Sequence, residues 1–381
     1  MKVLRALVVL ALLLSAGIGA ALLATRPKPP PAGSESARRL EPGPHSVHLS
    51  DEVWVDTSRP TDANGNFEGA PDRTFDVSVW SPEDATGPHP LLVFSHGFMS
   101  TRQGGELYAE QMASHGYVIV AASHPLTMLS APGGPTTNDV IHQPADVSFL
   151  IDRTIALPQD DRGFSGGIDR DRIGVFGISL GALTATLVAY HPKLGDPRIK
   201  AALSIAGPGV MFGPSYFDFA DVPFLMVAGT HDAMIQYAVN AKPIPDRIRK
   251  GGLVTLDGAS HAGFSSLFSG PMRLLGNPDE LGCTALSSNL DINPDENPFA
   301  ALGGPDQGML DATDMPLPCE IRFEEAISPG RQQWITALAL HAFFESHFAR
   351  EATSRTAHAE FLAKTLAAEL DEVHYTPARR P

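Results

Sequence analysis

The chain has 381 residues, enough for one large domain or two small ones with ample core. Hydrophobic residues make up 43% and charged residues 19%, the balance of a globular protein. A formal net charge of −15 argues against nucleic acid or anionic lipid surfaces as partners, because both demand a basic face.

Lys2 and Arg5 precede an apolar run from Ala6 to Ala24, and Arg26 and Lys28 follow it. A basic start before such a run is an export signal. Ile18-Gly19-Ala20 offers a small-residue cleavage site, but the run is also close to the length that spans a bilayer. Residues 1–26 are therefore read as a cleaved signal peptide or a signal anchor, and either places the domain outside the cytoplasm. No cysteine adjoins the run, which excludes a lipoprotein anchor. Residues 27–44 begin with Pro27, Pro29, Pro30 and Pro31, continue with Gly33, Ser34 and Ser36, and are expected to form a linker.

Residues 47–56 and 74–81 alternate apolar and polar and predict half-exposed antiparallel strands. Leu91-Leu92-Val93-Phe94 and residues 117–121 are continuous apolar runs, as buried strands require. A helix is expected over 105–115. A loop rich in Pro, Gly and Thr covers 125–137. Helical spacing at Val140, Val147, Leu150, Ile151 and Ile155 predicts a helix over 139–157, with Pro144 as a kink. Strands are expected at 172–178, 200–206, 222–228 and 252–256, and helices at 180–190 and 331–348. Alternating buried strands and helices define an α/β fold, a doubly wound, mainly parallel sheet that an antiparallel pair begins. The domain is expected over 45–350. Residues 265–330 break the rhythm and read as an irregular, cap-like insertion, and 351–381 as a polar, partly helical tail. Cys283 and Cys319 are the two cysteines, and in an exported chain they predict one disulfide; two free buried thiols are the alternative.

Gly177-Ile178-Ser179-Leu180-Gly181 carries the chemistry. It is a G-x-S-x-G motif between an apolar run and an Ala/Leu-rich helix, the context of a nucleophile elbow. A serine nucleophile needs a base, and the base an orienting acid. In this architecture such residues sit on loops at the carboxyl ends of strands. Asp232, in Gly229-Thr230-His231-Asp232, is the candidate acid. His261, in Gly258-Ala259-Ser260-His261, is the candidate base. The order Ser179, Asp232, His261 is one that triads of this kind use. Backbone donors for an oxyanion are assigned to Leu180, after the nucleophile, and Phe98, in Ser95-His96-Gly97-Phe98. The Phe98 ring is also expected to wall the acyl site. His231 adjoins Asp232, a poor spacing for a side-chain pair. His96 is read as a hydrogen bonder that structures its loop. His124 ends a buried strand and is expected to be structural or within reach of substrate. Asp146 and Asp257 read as solvated or capping acids. No metal or cofactor is expected: the run from Asp62 through Asn64 and Asn66 lacks the Gly and the final acid of a calcium loop, having Phe67 and Arg73 there.

Phe94-Ser95-His96-Gly97-Phe98, Gly-Ile-Ser-Leu-Gly, Gly-Thr-His-Asp and Gly-Ala-Ser-His together resemble the α/β-hydrolase superfamily. Within it the chain is similar to a bacterial branch of dienelactone-hydrolase-like proteins, platelet-activating-factor acetylhydrolase relatives and cutinase-like polyester hydrolases. Val55 to Pro60 and Val79-Trp80-Ser81-Pro82 look like the first strands of the acetylhydrolase relatives. The resemblance implies a lidless or lightly capped carboxylic ester hydrolase without cofactor. It matches Ser179, Asp232 and His261 to the triad and Phe98 and Leu180 to the oxyanion donors. Ile178 departs from the His or Trp common there, and the 265–330 insertion puts a polymer substrate in doubt. The leading expectation is an exported serine esterase, acting on a small-molecule or lipid-like ester through an acyl-enzyme. A serine peptidase or amidase and an anchored, catalytically silent binding protein are the competing readings. Oligomeric state is left open.

Overall fold

Nine strands form one mixed sheet in the order β1-β2-β4-β3-β5-β6-β7-β8-β9. They are β1 (Val47–Asp56), β2 (Arg73–Pro82), β3 (His89–Ser95), β4 (Val118–Ser123), β5 (Ile168–Ile178), β6 (Ala201–Ile205), β7 (Phe224–Gly229), β8 (Gly251–Leu256) and β9 (Val373–Pro377). β3 to β8 run parallel, as the apolar runs require, and β1 and β2 pair antiparallel at one edge. The computed structural model describes residues 26–157, 166–268, 274–289, 297–313 and 315–381, together with Gly17 and Gly19. The expected signal or anchor therefore lies almost wholly outside the described residues. Among the described residues no helix is long and apolar enough to cross a membrane.

Both faces of the sheet are covered. Adjacent side chains point to opposite faces, so Val93 and Val175 join one core while Phe94 and Phe176 join the other. The first core is roofed by helices α3 (Gln143–Ile155) and α4 (Leu180–Tyr190), the second by α2 (Glu106–Ser114) and α6 (Pro329–Phe348). Each large apolar side chain so buried contributes about 1.5–3 kcal/mol. Pro144 does not kink α3. A 3₁₀ turn (Asn138–His142) comes first and α3 starts at Gln143, so Pro144 sits in the first turn, where its missing N–H costs nothing.

Three segments carry more structure than their composition predicts. Helix α1 (Glu35–Arg39) lies inside the proline-rich stretch, capped by Ser34 Oγ. Its first amides, Glu35 and Ser36, donate to the Glu369 carboxylate at 2.9 and 2.7 Å, and Arg39 lies 4.4 Å over the Phe361 ring. The polar tail supplies these partners and then pairs β9 antiparallel with β8, Leu256 opposite Val373. The insertion contains helix α5 (Asp279–Asn289), and a disulfide joins Cys283 to Cys319 with Cα atoms 5.7 Å apart. A helix α7 (Ala352–Glu360) leads into the tail.

Candidate active site

Ser179 sits between β5 and α4 with φ 57° and ψ −119°, a conformation that costs a non-glycine residue about 1–3 kcal/mol. Its surroundings enforce it. The Ser179 amide donates to Ile205 O at 2.9 Å, and its carbonyl accepts from Ala182 and Leu183. The flanking glycines allow the close approach: a Cβ on Gly177 would lie 2.2 Å from Gly181 O, and one on Gly181 1.9 Å from Ser95 O. The motif thus packs the start of α4 against the end of β3.

The other two residues come from neighbouring strand ends. Asp232 follows β7 and is buried; its Oδ1 accepts the amides of Met234 and Ile235 at 2.9 and 2.6 Å. Its Oδ2 lies 2.8 Å from His261 Nδ1, on the loop after β8. The carboxylate can only accept, so Nδ1 carries the proton and Nε2 keeps its lone pair. Burial pushes the His261 imidazole down, but Asp232 and Asp279 outweigh it and hold its pKa above the ordinary value of 6.5. Ser179 and His261 line one cavity of about 890 Å³.

Phe98 and Leu180 line the same cavity. Leu180 is the first residue of α4, so its amide has no intrahelical acceptor. The Phe98 amide has no protein acceptor among the described residues, whereas those of Met99 and Ser100 donate to Thr127 O and Gly97 O. His96 orients that peptide. Its Nε2 accepts the His124 amide at 2.9 Å, so its Nδ1–H donates to Gly97 O at 2.7 Å. The Gly97 carbonyl and the Phe98 N–H belong to one planar trans peptide and point in opposite directions. Fixing the carbonyl therefore fixes the donor. Burial, with His124 adding to it, lowers the His96 pKa to about 3 despite the Gly97 bond, which keeps the ring neutral.

His124 does not reach the cavity. It is fully buried, with Nδ1 3.1 Å from Asp146 Oδ2. Asp146 is not the solvated acid its sequence context suggested. It is fully buried and accepts from Arg73 Nε at 2.7 Å and Arg59 at 2.8 Å, while Arg73 also forks onto Asp139 at 3.0 and 2.6 Å. Burial opposes ionisation of Asp146, but His124 and Arg73 override it and depress its pKa. This network stands behind the loop that bears Gly97 and Phe98. It escaped sequence reading because its members come from β2, the turn before α3, α3 and the end of β4. His231 bonds Glu325 O and faces Glu324, away from the pair formed by Asp232. Among the described residues no cluster of His, Cys, Asp or Glu could hold a metal.

The cavity walls are apolar, and the insertion supplies part of them through Leu281, Leu286, Phe299 and Pro318. Leu129, Leu267 and Leu281 line it and are also strongly exposed. Asp279, unmarked by any sequence motif, accepts backbone amides from both the Asp232 and His261 loops.

The family model described as PET hydrolase-like matches residues 70–269. A chlorophyllase type 0 from Chenopodium album is 31% identical over 124 residues, 32% of this chain and 33% of that protein. A 20-hydroxy-prefusarin hydrolase from Gibberella moniliformis is 28% identical over 129 residues, 33% of this chain and 28% of that protein. The chain thus spans about a third of the length of these curated relatives. A solved ferulic acid esterase from Streptomyces cinnamoneus superposes with a TM-score of 0.52 at 19% identity, covering 91% of this chain and all of that one, which shows the shared fold.

Proposed function

This chain belongs to the PET hydrolase-like family of the α/β-hydrolase superfamily, and from that premise we propose that it is an exported serine esterase. The observation that carries the reading is the strained Ser179 opening into the same cavity as a His261 whose tautomer Asp232 fixes. Nε2 of His261 takes the Ser179 proton as Oγ attacks the ester carbonyl. The amides of Phe98 and Leu180 receive the developing oxyanion. His261 then returns the proton to the leaving alcohol, and water repeats the sequence on the acyl-enzyme. The α4 N-terminus adds a favourable field for negative charge at Ser179.

The apolar walls support a substrate with a sizeable apolar acyl or alcohol group. Because the insertion forms part of those walls, a discrete small-molecule or lipid-like ester fits the site better than a polymer laid across an open groove. The disulfide and the basic residues before the N-terminal apolar run support export.

The test is hydrolysis of p-nitrophenyl esters from acetate to palmitate, beside Ser179→Ala. We expect turnover that Ser179→Ala lowers by at least about a thousandfold. Equal turnover by the variant would sink the serine mechanism. Cleavage of anilides in preference to esters would shift the reading to an amidase.

A further inference from the structure

The carboxylate of Asp279 is fully buried in the first turn of α5, ten residues beyond the end of the family match. Among the described residues it has no arginine or lysine partner. Its Oδ2 accepts the amides of Ala233 and His261, each at 2.9 Å, and its Oδ1 accepts the Ala262 amide at 2.7 Å. Ala233 follows the candidate acid, and His261 is the candidate base. One carboxylate therefore bolts the two loops together. The insertion adds a second bolt, since the Cys319 amide donates to Ala233 O at 2.7 Å and Cys319 is bonded to Cys283 on α5. From the other side Gln332 of α6 brackets Ser260, accepting its amide at 3.2 Å and donating to its carbonyl at 2.7 Å.

A buried anion beside another anion is costly unless hydrogen bonds satisfy its oxygens, as the three amides do here. Three amides facing two oxygens require an acceptor at both oxygens. A carboxylate meets that demand, and an asparagine, with one oxygen and one NH₂, does not. We propose that Asp279 is a positioning residue: it fixes the Asp232 and His261 loops through their backbone amides and adds a second negative charge that favours the His261 imidazolium. The inference rests on the esterase reading for its kinetic consequences. Among the described residues the charged groups facing His261 are Asp232 at its ring and Asp279 at its backbone; Gln332 and Ser260 are neutral. Burial and the Asp232 charge push the Asp279 carboxyl up, against His261 and the amides of Ala233 and Ala262.

The experiment compares kcat, KM and the pH profile of wild type, Asp279→Asn and Asp279→Glu on one p-nitrophenyl ester. Folding of each is checked by a cooperative melt. Asp279→Asn should lower kcat on the order of 10- to 100-fold, as loss of alignment does, with KM within about twofold. Its acid limb should move to lower pH, because His261 loses a neighbouring anion. Asp279→Glu keeps the charge, so its acid limb should stay near wild type while kcat falls. A folded Asp279→Asn with wild-type kcat and an unmoved acid limb overturns the proposal. So does an acid limb that moves equally in both variants. If asparagine does not fold, an unchanged kcat in Asp279→Glu overturns it. Should wild type lack turnover, the esterase reading fails by itself, and NMR titration of His261 decides the charge claim. A lower His261 pKa in Asp279→Asn supports the claim, and an equal one overturns it.

Discussion

The sheet and the insertion hold the same site by opposite means. The sheet places Ser179, Asp232 and His261 at the ends of β5, β7 and β8 by burying apolar side chains on both faces. It also carries a buried polar network, that of Arg73, behind the loop that bears Gly97 and Phe98. The insertion adds walls to the cavity, is held to the Asp232 and His261 loops by a few directional bonds, and is tied to itself by one disulfide. Apolar burial is spread over many contacts and fails all at once; a few directional bonds can open locally. Changes in the sheet should therefore cost stability, and changes in the insertion should cost rate.

The strongest way to break that contrast is in the sheet. Phe176 is fully buried, 5.1 Å from the Phe94 ring. Phe176→Ala should cost about 3–5 kcal/mol in urea unfolding, with kcat unchanged in the molecules that remain folded. A smaller stability loss with a large fall in kcat would erase the distinction. Arg73→Met leaves Asp139 buried without its arginine and Asp146 with only Arg59 and His124, again at about 3–5 kcal/mol. Asp146 also holds His124, whose amide orients His96. At matched stability this variant should therefore lose more activity than Phe176→Ala, and equal activities would disconnect the network from the Phe98 peptide.

The insertion gives a smaller stability effect. Replacing Cys283 and Cys319 by serine removes a constraint worth at most about 3–4 kcal/mol in the loop-entropy account. If the few directional bonds there open locally, the global urea midpoint should move by less than that, while kcat falls several-fold. A loss of the full amount would make the insertion part of the cooperative core.

A graded effect comes with pH. Burial and the neighbouring His124 hold His96 at about 3, and burial with His115, His358 and Arg39 holds His341 well below 6.5. Both titrate near 6.5 when unfolded. On acidification the unfolded chain takes up these protons first, so stability should fall from about pH 6.5 downward, before the carboxylates titrate. Urea midpoints at pH 7.5, 6.0 and 5.0 check this. A flat profile would contradict it, and His341→Leu should make the profile shallower.

Most of the sheet was legible because a strand buried on both faces leaves an unbroken apolar run, as in Leu91 to Phe94 and Val118 to Ala121. The G-x-S-x-G motif and the His-Gly, His-Asp and Ser-His loops were legible because they follow such runs at once. β9 was hidden: Val373-His374-Tyr375-Thr376-Pro377 is short and follows a charged helix, and its partner lies more than a hundred residues away. Helix α1 was masked by prolines, since its fixing carboxylate, Glu369, is 334 residues from Glu35. Asp146 and Asp279 look like any surface acid in sequence. Their roles arise from partners that only the fold assembles, three backbone amides in the case of Asp279.

The clasp between α1 and the tail orders events in time. A chain synthesised from its N-terminus makes Glu35 334 residues and Ser36 333 residues before Glu369. β8, which leads into the His261 loop, likewise waits for β9 to cover its open edge. Until then the β8 edge presents unpaired backbone groups to any other strand it meets. β9 thus completes the sheet after the eight strands before it, and a protease that removed it would leave Ser179, Asp232 and His261 in place beside an uncovered, self-adhesive sheet edge.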